Sequence, residues 1–176
     1  MLKDARGSVT ISFDPNCRPK LVKHKAHYVE RMNAFAAIAD IVRMSDVDFE
    51  FLYGDGDHAG RAKSLIEAGA SLVVVTRGIK GAQAWHKEAG VVEVEAPTVN
   101  VVDTIGAGDS FQAALLFALR AIGRIKSESL AQTNADELRR ALSFASGCAA
   151  LTCGRAGADP PRQADVGAGL SRLLPA

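Results

Sequence analysis

The chain has 176 residues, of which 48% are hydrophobic and 23% charged, a composition typical of one soluble globular domain with a core. Its 21 basic and 20 acidic residues leave a formal net charge of +1, so we expect neither nucleic acid nor an anionic membrane as a partner. No apolar run approaches the roughly 20 residues of a membrane span, and no signal-like N-terminus is visible, so the cytoplasm is the expected location. The cysteines match no common zinc framework and are expected to be reduced.

Helix and strand patterns alternate along the first half of the chain. The predicted elements are a strand from Ser8 to Phe13, a helix from His27 to Ala39, a strand from Ile41 to Met44, a helix that ends at Gly54, a helix from His58 to Ala68, and a strand from Ser71 to Thr76. Ser45 is predicted to be the N-cap of the second of these helices, with Asp48 as its capping-box partner. The last strand is a continuous apolar run, which is typical of a central parallel strand buried on both faces.

The second half continues with a pair of strands and then mostly helices. The predicted elements are strands from Ala82 to His86 and from Val91 to Glu95, a helix from the Gly106–Gly108 loop to about Ile122, a helix capped by Asn134 that reaches about Thr152, and a short helix before Leu174. This alternation predicts an α/β sheet packed by helices, in one domain over residues 1–176.

The beginning of the sequence is unusual for such a domain. Lys3 to Gly7 is typical of the last turn of a helix with a glycine cap, and it runs directly into a strand. Two interpretations remain open: the chain is a fragment of something longer or has a late start, or these residues are a frayed tail.

The segment from Val101 to Phe111 carries the strongest chemical signal. Two glycines flank Ala107 at a predicted helix N-terminus, where free backbone N–H groups and the helix dipole favour a phosphate group. Asp109 lies in the first turn of that helix, beside the expected anion, where a carboxylate can accept the proton of an attacking hydroxyl. The alternative is an ordinary helix N-terminus with acidic residues.

Asp103 to Asp109, with the sequence DTIGAGD, resembles the second signature motif of the pfkB-type carbohydrate kinases, the ribokinase and fructokinase superfamily. The resemblance implies that Asp109 is the catalytic base and that the N–H groups of Gly106, Ala107 and Gly108 form the anion hole. It also implies a ribokinase-like fold, a Rossmann-like and mostly parallel sheet flanked by helices. Only the C-terminal part of that fold is expected here, without the lid or the N-terminal half.

Two further segments resemble nucleotide-binding parts of the same family. Thr76 to Ala82 resembles the Thr-x-Gly-x-x-Gly loop, which implies ATP contacts at Thr76, Gly78 and Gly81. The segment FASGCAA resembles the adenine-pocket helix and implies that Ser146 binds ATP, together with the Gly106 and Gly108 of the signature. Small residues also allow close helix packing, so this second signal is the weaker one.

Ser45 to Asp48 stands where the family has an Asn-x-x-Glu motif linked to magnesium and phosphate. Serine replaces asparagine and aspartate replaces glutamate, which is a departure from the family pattern. The resemblance implies that Ser45 lies at the ATP site and that Asp48 orients a magnesium-bound water. The capping box is the alternative role, and the two roles are compatible.

The acceptor side of the site is represented by the segment DPNCRP, which resembles a strand end of fructokinases and 2-keto-3-deoxygluconate kinases. The resemblance implies that Asn16 and Arg18 lie near the sugar or the transferred phosphate, although an exposed polar turn is the alternative. In ribokinase-like members a later loop holds a monovalent cation, so Asp103 and Ile105 are candidate potassium-site residues.

These resemblances together predict ATP-dependent phosphotransfer to a sugar hydroxyl, closest to bacterial fructokinase, with ATP and Mg²⁺ and also K⁺ as cofactors. The sugar partner is fructose or a related sugar or sugar acid, and 2-keto-3-deoxygluconate kinase is the near alternative. A non-catalytic nucleotide-binding or oligomerising remnant is the alternative from another class. No Gly-Gly-x-x-x-Asn signature is found, so little activity is expected of the chain alone, and exposed sheet edges make a homodimer a candidate assembly.

Overall fold

A computed structural model of the protein describes residues 7–54 and 56–174. The helical turn predicted over Lys3 to Arg6 lies outside these residues and stays a prediction. Among the helices that the structure describes, none is long and apolar enough to cross a bilayer.

The described residues form five strands and seven α-helices. In chain order they are β1 Ser12–Phe13, α1 Lys25–Ala36, β2 Ile41–Ser45, α2 Asp46–Tyr53, α3 His58–Glu67, β3 Leu72–Thr76, β4 Ala82–His86, β5 Gly90–Val94, α4 Ala107–Ala121, α5 Ser127–Leu130, α6 Ala135–Cys153 and α7 Ala168–Ser171.

The five strands form one sheet in the order β1-β2-β3-β4-β5. β2 pairs in parallel with β1 and β3, whereas β4 pairs antiparallel with β3 and β5. The prediction that Ser71–Thr76 contains a buried central strand is confirmed, but β3 is parallel to its neighbour on one side only. The short connection between β3 and β4 permits a hairpin, because a parallel crossover needs a dozen or more residues.

Helices cover both faces of the sheet, so the predicted α/β fold is confirmed. Successive side chains of a strand point to opposite faces, and the buried residues of β2 and β3 therefore divide into two clusters. On one face Ile41, Leu72 and Val74 pack with α4 and α6. On the other face Val42, Met44 and other residues pack with α1, α2 and α3.

Most element ends lie within one residue of the prediction, but β1 and the first helix differ by more. β1 keeps only Ser12 and Phe13; just before it, the N–H of Ile11 donates to the Asp40 carboxylate at 2.8 Å, while the Ile11 carbonyl accepts from the N–H groups of Asp40 and Ile41. The first helix covers Lys25–Ala36 rather than continuing to residue 39. The predicted N-caps are confirmed, since the Ser45 hydroxyl accepts from the Asp48 N–H at 3.0 Å and Asn134 forms a full capping box. The capping box predicted for Ser45 is not completed, because the Asp48 carboxylate accepts from the Cys17 N–H instead.

His86, at the end of β4, is a buried histidine whose two ring nitrogens both have partners. Its Nε2 lies 2.9 Å from the Leu130 carbonyl oxygen, and its Nδ1 accepts from the N–H groups of Glu88 at 3.1 Å and Ala89 at 3.0 Å. This arrangement fits the neutral imidazole with the proton on Nε2. Burial lowers the pKa of His86, although the Leu130 carbonyl and Glu88 oppose the shift.

The first prediction concerns the pH dependence of stability. Because the folded pKa of His86 lies below the unfolded value of 6.5, the contribution to stability is complete above pH 6.5. It is lost as the pH falls from that value towards the folded pKa. Urea denaturation should show that the free energy of unfolding falls between about pH 7.5 and about pH 5.5.

A matched pair of variants separates His86 from the other histidines. His86→Gln should remove most of this pH dependence, whereas His24→Gln, at an exposed position, should keep it. An undiminished pH dependence in His86→Gln would show that other groups cause it.

Candidate active site

The carboxyl ends of β1, β2 and β3 lie at the same edge of the sheet, because these strands are parallel. β2 ends at Ser45 and β3 at Thr76, and these two residues are partners in the ladder register. Ligands of open α/β sheets bind outside the carboxyl ends of the strands. Ser45 and Thr76, both predicted ATP contacts, are therefore neighbours at the edge where a ligand is expected.

The first turn of α4 has the geometry of an anion site. Gly106 precedes the helix in the left-handed conformation, with φ 78° and ψ −2°. The N–H groups of Gly106, Gly108 and Asp109 make no hydrogen bond within the described residues, whereas that of Ala107 donates to the Thr104 carbonyl at a long 3.3 Å. Three free donors at a helix N-terminus can hold the oxygens of a phosphoryl group.

Asp109 is exposed in the first turn of α4. Its carboxylate has no hydrogen bond or ion pair with any residue that the structure describes. The adjacent Ser110 is buried instead, and its hydroxyl accepts from the Thr152 hydroxyl at 2.7 Å. The carboxylate of Asp109 is thus free to contact a ligand that lies over the turn.

Arg43 is a charged residue of the site that the sequence analysis missed. It lies on β2 and is 6% exposed. Its Nη1 donates to the Asp14 carboxylate at 2.7 Å, and its Nη2 donates to the Thr76 hydroxyl at 2.6 Å. A Cβ atom placed on Gly108 would lie 2.9 Å from Nη1, so the guanidinium packs directly against the first turn of α4. One charge inside the otherwise apolar β2 run was the available sequence signal.

The loop after β1 carries the predicted acceptor-side residues Asn16 and Arg18, both of which are exposed. Asn16 has φ 40°, and its N–H donates to the Asp14 carboxylate at 3.0 Å. Arg18 Nη1 bonds to the side-chain oxygen of Asn16 at 2.6 Å and to the carbonyl of Cys17 at 3.0 Å. The guanidinium is therefore held by its own loop, and its contact with a phosphate or a sugar stays a prediction.

Asp48 joins this loop to the start of α2. Its Oδ1 accepts from the N–H of Cys17 at 3.0 Å, while its own N–H donates to the Ser45 hydroxyl. Within residues 7–54 and 56–174 no group of three or more acidic, histidine or cysteine side chains could hold a metal ion directly. A magnesium ion bound to the phosphates and reached through water is compatible with this donor set. Burial raises the pKa of the Cys17 thiol to about 11.

The loop after α6 packs against the turn from Gly106 to Gly108 at the start of α4, the anion turn. Asp103 accepts from the N–H of Ile105 and from the N–H of Gly157, each at 3.0 Å, and these bonds lower the pKa of Asp103. A Cβ on Gly106 would lie 3.1 Å from the Cβ of Ala158, so this loop touches the turn. The monovalent-cation role of Asp103 and Ile105 stays a prediction, since both carboxylate oxygens of Asp103 already accept backbone N–H groups.

The loop between β3 and β4 contains the predicted ATP contacts Gly78 and Gly81. Gly81 has φ 81°, and a Cβ there would lie 2.0 Å from the Val94 carbonyl oxygen, so the fold itself requires glycine. Gly78 has φ 53° with open space around it. The Gly78 position therefore allows a ligand to approach the backbone.

No contact among the described residues joins Ser146, a predicted ATP-binding residue, to the edge of the sheet where the parallel strands end. Ser146 is buried in α6, on a different side from Phe144 and Cys148. Those two residues line a cavity of about 520 Å³ between α4, α6 and the C-terminal segment. The neighbouring Gly147 serves packing, because a Cβ there would lie 2.3 Å from the Leu170 side chain.

Comparison with known proteins identifies the family. A family profile described as pfkB family carbohydrate kinase matches residues 2–165, which include every predicted site residue. The chain belongs to the pfkB family of carbohydrate kinases. The family prediction and the ribokinase-like fold are thereby confirmed.

Individual relatives support the assignment of this chain to the pfkB family. It is 37% identical over 139 residues to a fructokinase of Rhizobium leguminosarum bv. trifolii, which covers 79% of this chain and 42% of the relative. The structure is similar to Vibrio cholerae O395 fructokinase solved with fructose, ADP and a calcium ion, with TM-score 0.71, 30% identity and coverage of 93% and 50%. It is also similar to an E. coli putative Ribokinase II solved with ATP and Mg²⁺, with TM-score 0.68, 29% identity and coverage of 85% and 44%. The chain spans about half the length of the relatives it matches.

The second prediction tests the contact between Gly106 and the loop after α6. In Gly106→Ala and in Gly123→Ala, a left-handed conformation becomes unfavourable by about 1–2 kcal/mol. Gly123 has φ 75° and nothing within 4 Å of a Cβ, so it is a matched control without the Ala158 contact. Gly106→Ala should lose about 1 kcal/mol more in urea denaturation and should bind ATP more weakly. Equal effects of the two variants on stability and on ATP binding would contradict this role of Gly106.

Proposed function

We propose that this chain forms the ATP-binding and base-containing part of an ATP-dependent sugar kinase, with Asp109 as the base. The observation that carries the proposal is the exposed Asp109 carboxylate beside the free N–H groups at the N-terminus of α4. Membership of the pfkB family supports the reaction class. The presence of ATP with Mg²⁺ or of ADP in similar structures supports the nucleotide.

In the proposed reaction, Asp109 removes the proton from a primary hydroxyl of the sugar as the hydroxyl oxygen attacks the γ-phosphorus of ATP. The bond between the γ-phosphorus and its bridging oxygen breaks, and ADP leaves. The free N–H groups of Gly106 and Gly108 stabilise the charge on the transferred phosphoryl group, whereas the Ala107 N–H would have to leave the Thr104 carbonyl to take part. The loop from Thr76 to Gly81 binds the nucleotide, and Arg18 assists at the phosphate. Asp48 would hold a magnesium ion through a water, and the ion would neutralise charge on the phosphates.

Fructose is the proposed acceptor, because the curated relatives are named fructokinases. A 2-keto-3-deoxygluconate kinase remains the near alternative, since the segment DPNCRP resembles both kinds of enzyme. Because the chain spans about half the length of these relatives, we further propose that it alone has little or no turnover. K⁺ at Asp103 and Ile105, a homodimeric assembly and a cytoplasmic location belong to the same proposal.

The third prediction concerns the chain on its own. It should bind ATP with Mg²⁺, because the anion turn and the neighbouring strand ends belong to this chain. It should release little ADP with fructose, ribose or 2-keto-3-deoxygluconate in a coupled assay. Calorimetry measures the binding. Robust turnover would refute the low activity, and an absence of ATP binding would refute the nucleotide-binding role of the chain.

The fourth prediction tests Asp109 in a form of the protein that turns over. Asp109→Asn should lower kcat by about 10²- to 10⁴-fold with little change in ATP affinity, because only the proton acceptor is removed. Asp136→Asn is the matched control, since Asp136 is also exposed in the first turn of a helix, α6. Intact turnover in Asp109→Asn would mean that another group is the base.

A further inference from the structure

Arg43 is a charged residue at a buried position of β2, where desolvation of its guanidinium costs free energy. It is 6% exposed, on the face of β2 that also carries Ile41 and packs against α4. A buried guanidinium must be paired and hydrogen-bonded to offset the cost of desolvation. The Nε of Arg43 nevertheless has no partner among the described residues. An apolar side chain would suit this interior better, so stability alone does not account for the arginine.

The contacts of Arg43 join three segments that are distant in sequence. The ion pair with Asp14 reaches the loop after β1, and the bond to Thr76 reaches the end of β3. The guanidinium also packs against Gly108 and lies 5.7 Å from the centre of the Phe111 ring. One side chain thus contacts the acceptor loop after β1 (Asp14 to Arg18), the nucleotide loop (Thr76 to Gly81) and the turn at the start of α4 (Gly106 to Gly108).

We propose that Arg43 is a positioning residue of the phosphoryl-transfer site, which rests on the proposed function. Its planar guanidinium group fixes the position of the first turn of α4 relative to the ends of β1 and β3. The positive end of the Asp14–Arg43 pair lies behind the N–H donors and favours an anion in front of them. Arg43 touches neither substrate in this role and acts through Gly108, Thr76 and Asp14.

The proposal gives Gly108 a reason to be glycine. Gly108 lies within α4, and its φ is outside the left-handed range, so its backbone accepts any L residue. The obstacle is Arg43, because a Cβ on Gly108 would lie 2.9 Å from Nη1 and 3.1 Å from Nη2. Arg43 and Gly108 should therefore behave as a coupled pair.

The test measures the affinities of Mg²⁺-ATP and of adenosine by calorimetry, and the thermal stability, for Arg43→Met, Arg43→Lys and the wild-type chain. Arg43→Met should weaken ATP binding by about tenfold and adenosine binding by less than about twofold, because the phosphate donors are displaced. Arg43→Lys should restore part of the ATP affinity. Arg124→Met is the control, since Arg124 is also ion-paired, with Glu137, and should lose stability without losing ATP affinity.

A double-mutant cycle tests the coupling. Gly108→Ala should weaken ATP binding in the wild-type background but much less in Arg43→Met, where the obstructing guanidinium is gone. Additive effects, or equal weakening of ATP and adenosine, would overturn the positioning role. If Arg43→Met does not fold, Arg43→Lys and Gly108→Ala decide by the same ATP-to-adenosine comparison. No ATP binding by the wild-type chain would overturn the proposed function as well, whereas normal ATP binding by a folded Arg43→Met overturns only the positioning role.

Discussion

The orientation of the first turn of α4 is the constraint on which the candidate site depends. Helix N–H groups serve an anion only where nothing else in the chain takes them, and where the space in front of them stays open. Gly106 turns the chain sharply into the helix, Arg43 supports the turn from the sheet side, and Ala158 touches it from behind. The turn is therefore fixed by its own glycine conformation and by contacts from two sides, while Asp109 remains exposed.

The sheet explains why these contacts meet. Parallel pairing of β1, β2 and β3 brings three carboxyl ends to one edge, and the period of two along β2 directs Arg43 to the face covered by α4. The hairpin of β3 and β4 then reverses direction through Gly81, whose close approach to the Val94 carbonyl of β5 leaves no room for a side chain. Backbone geometry thus determines which glycines serve the fold and which leave space for a ligand.

Sequence reasoning was most successful where the signal is local. The apolar run of β3, the Ser45 and Asn134 caps and the glycine turn before α4 each depend on neighbouring residues, and each is found where it was predicted. The bond network of Arg43 was not predictable in this way, because its partners Asp14 and Thr76 lie 29 and 33 positions away.

Two other differences have the same origin in distant contacts. Just before the short β1, the N–H of Ile11 bonds to the side chain of Asp40, 29 positions later. At the small residues of α6, where the adenine pocket stays a prediction, the side chain of Leu170 from the C-terminal segment lies against Gly147. The small side chains leave space beside α6, but the group that fills this space comes from a segment more than 20 positions away.

The buried thiol of Cys17, next to Asp48, has a chemical consequence of its own. With a pKa of about 11, only about one Cys17 in ten thousand is a thiolate at neutral pH, so peroxides and alkylating reagents should leave the acceptor loop unmodified.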